Sequence, residues 1–114
     1  MKTLSELEVA TTKWSMDRGI IQNGKVPTQA LKLVSEIGEL SDAIIKGEEI
    51  HDHIGDVLVL LTNICAMSGT NLTECWNVAY NDIKDRKGFL NAEGNFIKEE
   101  DRNYAKLFDE FQNS

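Results

Sequence analysis

Apolar residues recur at three- and four-residue steps through most of the chain, and punctuating residues divide that pattern into five helical stretches. Thr3, with Glu6 three residues on, has the form of a capping box, and Leu7, Ala10 and Trp14 line one face behind it, so the first helix is expected over 3–17. Gly19 to Lys25 reads as a loop. Pro27 suits the first turn of a second helix, which carries Ala30, Leu33, Val34, Ile37, Leu40 and Ile44 to a stop at Gly47. A third helix covers about 49–68. Its segment Val57–Leu61 is apolar on nearly every side, which predicts the most buried element of the fold.

Asn71 and Glu74 cap a fourth helix, whose stripe is Leu72, Cys75, Trp76, Ala79 and Ile83 and whose end is expected near Lys87. Phe89–Asn91 and Phe96–Lys98 flank a turn containing Gly94 and read as a β-hairpin. Tyr104, Leu107, Phe108 and Phe111 then imply a short terminal helix, either an oligomer clasp or a cover for its own core. The fold class is all-α, a four- to five-helix bundle with a small C-terminal hairpin and terminal helix, expected as one domain over 1–114.

Two of these helices carry ionisable pairs inside their apolar pattern. Glu36 and Glu39 lie three apart, as do His53 and Asp56, and that spacing puts each pair on one helix face, about 5–6 Å apart at Cβ. Asp42 continues the first row. Carboxylates among Leu, Ile and Val cost several kcal/mol each to desolvate without a counter-charge, and no Lys or Arg occurs between Gly47 and Tyr80. Oxygen donors with at most one His suit a hard divalent cation, Mg²⁺ or alternatively Mn²⁺, better than zinc. Mg²⁺ is commonly completed by substrate phosphates, so the chemistry implied is phosphoryl or pyrophosphoryl transfer to water, with Glu36 or Glu39 as the proton acceptor.

The net charge of −7 argues against a nucleic-acid polymer as partner, since phosphate binding needs clustered cations and only Lys84–Lys87 forms a cluster. Within it, Lys84 and Arg86 are candidates to hold a phosphate. Cys65 and Cys75 sit in apolar stripes, outside any metal-binding spacing, and read as buried reduced thiols. No apolar stretch is long enough for a membrane span and the N-terminus lacks a secretory core, which together read as a cytoplasmic protein. Trp14 and Trp76 fit core stripes, and at Trp14 the alternative is a stacking platform for a base. Tyr80, one turn before Lys84, is a half-buried structural residue or a sugar contact. Asn63, on the projected face of Asp56, is an outer ligand or an interhelical amide.

The strings Lys32-Leu-Val-Ser-Glu-Ile-Gly-Glu-Leu and His53-Ile-Gly-Asp-Val-Leu resemble the MazG-like all-α nucleoside triphosphate pyrophosphohydrolases, whose pattern is Glu-Glu-x-x-Glu, a spacer, then Glu-x-x-Asp. Supporting likenesses lie in Asp17-Arg-Gly-Ile and Lys84-Asp-Arg-Lys-Gly. The resemblance covers about residues 31–87 and sets Glu36, Glu39 and Asp56 on the family's metal ligands. It departs at Ser35 and at His53, where the family has Glu; His53 coordinates through nitrogen, which softens the site towards Mn²⁺ or Co²⁺, or Asp52 supplies the missing oxygen, alone or with His53, or activity is lost. What the resemblance implies is Mg²⁺-dependent hydrolysis of a (deoxy)nucleoside triphosphate to the monophosphate and pyrophosphate, in a homodimer or homotetramer whose site a neighbouring subunit completes. It makes Lys84, Arg86 and Lys32 the phosphate contacts. The competing expectation is a non-catalytic helical homo-oligomer that binds a cation or protein partner through the acidic cluster.

Overall fold

The computed structural model describes residues 1–113, which form six helices and one small antiparallel sheet. Helix α1 (Leu4–Asp17) opens on the capping box expected of it: the Glu6 amide donates to Thr3 Oγ1 at 3.2 Å and the Thr3 amide to Glu6 Oε1 at 3.0 Å. Helix α3 (Val26–Lys46) has Pro27 in its first turn and ends on Gly47, whose φ of 70° lets the Glu48 amide reach back to the Ala43 carbonyl at 2.9 Å. Only residues 47–50 separate it from α4 (His51–Met67), so the two helices run back along each other as a hairpin.

The short helix α2 (Ile20–Asn23) occupies a segment expected to be loop. Gly19 turns the chain with a φ of 76°, and the Gly24 amide closes the single turn onto the Ile20 carbonyl at 2.9 Å. Helix α5 (Leu72–Ile83) stops short of Lys87 because the backbone there has other partners. The Arg86 amide closes a turn onto Ile83, and the Lys87 carbonyl accepts from the Glu99 amide at 2.8 Å. Strands β1 (Gly88–Leu90) and β2 (Phe96–Lys98) pair with Phe89 opposite Ile97. Asn91 Oδ1 organises their turn by accepting from the amides of Glu93 and Asn95. Helix α6 (Tyr104–Gln112) covers this hairpin, its Tyr104, Phe108 and Phe111 rings lying 5.8, 5.5 and 4.9 Å from that of Phe89. The terminal stripe therefore folds back on its own hairpin.

Among the described residues, backbone contacts group the chain into two compact units, residues 1–76 and 77–113. The first unit contains α1 to α4, and its interior differs from the expectation. The residues of α4 that are buried are Thr62, Asn63 and Cys65, while Leu58 and Val59 in the apolar run are partly open. Trp76 is 65% exposed instead of core, and Trp14 is about half exposed beneath the Arg18 guanidinium, 4.1 Å from its ring. For α4 the cause is that it meets α1, α2 and α3, too few neighbours to cover a helix that is apolar all round. Of the two thiols only Cys65 is buried, and burial pushes its pKa up to about 11; Cys75 is exposed, with its sulfur 3.9 Å from that of Cys65.

Candidate metal and phosphate site

On α3, at about 100° per residue, Gln29, Leu33, Glu36, Leu40 and Ala43 form the stripe towards α4, and the polar Lys32, Ser35, Glu39 and Asp42 lie on one flank of it. That flank meets α4 in a cleft lined by Lys32, Ser35, Glu36, Asp56, Val59 and Leu60. Glu36 and Asp56, from different helices, are thus brought together, as the sequence led us to expect. Lys32 and Ser35 join them. Ser35, where the resembled family has Glu, lines the cleft, and no spacing rule singles it out in advance.

Glu36 and His53 are half-buried, and Glu36 Oε2 and His53 Nδ1 are inaccessible and without a hydrogen-bond partner. A buried polar atom left unpaired costs about 1–3 kcal/mol, so these two atoms are the part of the α3–α4 seam that a further ligand would stabilise. The Glu36 pKa is raised, chiefly by burial, then by contact with the Glu39 carboxyl and by the like charges of Glu39 and Asp56, with His53 offsetting part of it. Glu36 therefore senses three other expected ligands, Glu39, Asp56 and His53. Asp52 is exposed and is not among the groups acting on Glu36. Asp42 is spent in an ion pair with Lys46 at 2.8 Å. Among the described residues no three His, Cys, Asp or Glu side chains already converge as a finished cation cage. The donor chemistry and the two unsatisfied atoms nonetheless suit a hard cation, with Glu39 already against Glu36 at the solvent edge.

The other candidates are more scattered. Lys84 and Arg86 belong to the second unit. Lys84 is exposed, and Arg86 is held by Asp82 at 2.9 Å and Glu100 at 3.2 Å. Trp14 and Tyr80 keep open ring surface. Asn63 is closed off: it is buried, its Oδ1 accepts from Ser15 Oγ and its Nδ2 donates to Gln29 Oε1, so of the two expectations the interhelical amide is the one realised. His51 is solvent-facing and paired with Glu49. A larger groove, of about 580 Å³, runs along α1 past Glu8, Thr12, Met16, Thr62 and Thr70, but its charges are internally engaged. Glu8 accepts from the Leu72 amide at 2.6 Å at the start of α5, and Lys13 pairs with Asp17 at 2.7 Å.

Each acid pair has a glycine directly before its second charged partner: Gly38 precedes Glu39 and Gly55 precedes Asp56. Mid-helix glycine costs about 0.5–1 kcal/mol against alanine, and a Cβ at either position would meet nothing within 4 Å. Gly38→Ala and Gly55→Ala are each expected to raise the thermal midpoint by a few degrees, measured by calorimetry; a lowered midpoint would mean that another molecule already presses on that backbone.

No family model, curated protein or solved structure matches this chain.

Proposed function

We propose that the protein is a MazG-like all-α nucleoside triphosphate pyrophosphohydrolase of the cytoplasm, working on a (deoxy)nucleoside triphosphate, with nucleotide-pool sanitation as its use. The observation that carries this reading is the cleft in which Glu36 and Asp56 meet from adjoining helices while Glu36 Oε2 and His53 Nδ1 lack partners. Glu36, Asp56 and His53, with Glu39, would hold a divalent cation, and Asp52 stands one turn before Asp56 as a further oxygen. Bound Mg²⁺ or Mn²⁺ would neutralise phosphate oxygens and acidify water.

The residues of the chain do the remainder. Of Glu36 and Glu39, whichever is less engaged accepts the proton of the attacking water; the raised pKa of Glu36 moves it towards the range of an effective base. Lys32, the one cation lining the cleft, orients a phosphate oxygen and screens the acids from each other. The anhydride between the α- and β-phosphates breaks, and pyrophosphate leaves. Trp14 would stack on the base.

The reading includes a homodimer or homotetramer. What supports it is the far side of α3: running on from the α4 seam, Ile44, Ile37, Ala30, Val34, Ile45, Gly38 and Leu31 fill an arc of roughly 80° to 220° from Glu36. Every one of them is exposed. The deciding experiment incubates the wild-type protein with Mg²⁺ or Mn²⁺ and a panel of ribo-, deoxy- and modified triphosphates, identifying products by chromatography. Monophosphate and pyrophosphate in equal amounts are expected. Hydrolysis of none would overturn the enzyme and leave the non-catalytic oligomer.

A further inference from the structure

Three buried polar side chains from three helices form one chain of hydrogen bonds: Ser15 of α1 donates to Asn63 Oδ1 of α4 at 2.5 Å, and Asn63 Nδ2 donates to Gln29 Oε1 of α3 at 3.1 Å. Their exposures are 0%, 3% and 6%, so in this first unit the driest place is polar. Apolar residues of similar size would fill it at little or no cost in stability. A feature that a core can do without calls for a reason other than stability.

The register of the α3–α4 hairpin supplies one. In antiparallel helices, facing residues have position numbers with a constant sum. Gln29 with Asn63, Lys32 with Leu60, Glu36 with Asp56 and Glu39 with His53 all share one value. Gln29 lies two turns before Glu36, and Asn63 two turns after Asp56, a seven-residue step that returns to the same face. The amide pair and the acid pairs are thus rungs of one ladder. At the other end the hairpin is tied by the Gly47 turn. The charged rungs lie between the two ties.

We infer that Ser15, Gln29 and Asn63 are positioning residues: a hydrogen-bonded clamp that closes the open end of the hairpin and sets the alignment in which Glu36 faces Asp56 and Glu39 faces His53. The physical basis is directional. Leu33 and Leu60 pack against apolar neighbours in many rotations, so an apolar seam tolerates a small twist or splay, whereas an amide moved off its partner is left buried and unpaired. Like charges on the Glu36–Asp56 rung push the helices apart, and the clamp opposes them. Carboxylates that must share one ion tolerate errors well under 1 Å. The inference rests on the metal reading for its purpose, though not for its geometry.

Two measurements test these separately. The variant Ser15→Ala/Gln29→Met/Asn63→Leu removes every hydrogen-bonding group of the clamp together, so it should fold with wild-type helicity and a similar thermal midpoint. It should bind Mn²⁺, followed by the EPR signal of the free ion, about ten-fold more weakly or worse, the scale of lost ligand-positioning contacts. The exchanged pair Gln29→Asn/Asn63→Gln keeps an amide on each helix and should recover most of that affinity. For the geometry, spin labels at Ala30→Cys and Ser68→Cys, in a Cys65→Ala/Cys75→Ser background diluted with unlabelled protein, report the open end of the hairpin by dipolar EPR. A narrow distance distribution in the parent that broadens in the apolar variant supports the clamp; equal widths, or equal Mn²⁺ affinities, overturn it. If the parent binds no Mn²⁺, the metal reading falls and the label distances alone decide the clamp. If the apolar variant fails to fold, the exchanged pair carries the comparison, and a loss of Mn²⁺ affinity there with an unbroadened distance overturns the inference.

Discussion

Asp56→Asn is expected to lower the rate of pyrophosphate release from a triphosphate by about a hundred-fold or more while leaving the helical fold in place. The rate effect follows from the proposed site: loss of a proposed charged ligand would remove several kcal/mol of stabilisation of developing phosphate charge, and about 2.7 kcal/mol already corresponds to two decades. The stability effect has the opposite sign. Asp56 is half-buried, lines the cleft with Glu36, and its charge is one of those that raise the Glu36 pKa. Without metal, replacing it with an isosteric neutral amide relieves that repulsion, so the thermal midpoint of the apo-protein should hold or rise by a degree or two. Rate loss with a maintained midpoint separates a functional acid from a structural one. A variant that turns over like wild type, or that unfolds, would remove Asp56 from the proposed site.

Val34→Glu/Ile45→Glu is expected to convert the proposed homo-oligomer into monomers. Both residues lie at the centre of the outward apolar arc of α3, at 69% and 81% exposure, so neither substitution disturbs packing within the protomer. Surface changes of this kind alter protomer stability by only about 0.5 kcal/mol. Two carboxylates placed inside an apolar interface cost several kcal/mol each when desolvated, enough to dissolve a micromolar to nanomolar assembly. Light scattering coupled to size exclusion reads the result, as a mass falling to the 12.8 kDa of one chain. Activity lost in parallel would mean that a neighbouring copy finishes the cleft. Wild type that is itself monomeric at high concentration removes the assembly.

The legibility of the site varied with the kind of interaction. Glu36, Glu39, His53 and Asp56 could be singled out because a three-residue step within one helix is a local fact, and an acid inside an apolar stripe has few bland explanations. Asn63 was visible as a candidate without a role, since its partners Ser15 and Gln29 lie on other helices. Lys32 was named through a resemblance, and the cleft it lines depends on how α3 meets α4. Trp76 misled because a stripe of apolar residues states that a face wants cover without saying what provides it.

By itself the amino-acid order determined where the helices start and stop, as at Thr3, Pro27 and Gly47, and which charges share a helix face, because those outcomes are settled within a turn or two of the chain. Only the tertiary structure decided that the interior of α4 is Thr62, Asn63 and Cys65 instead of Val57–Leu61, that α5 yields its last residues to the hairpin, and that Ser15 reaches Asn63 across 48 positions. Apolar contact is non-directional and leaves many arrangements open. A hydrogen bond between distant residues has one geometry, and it exists only once the helices have been brought together.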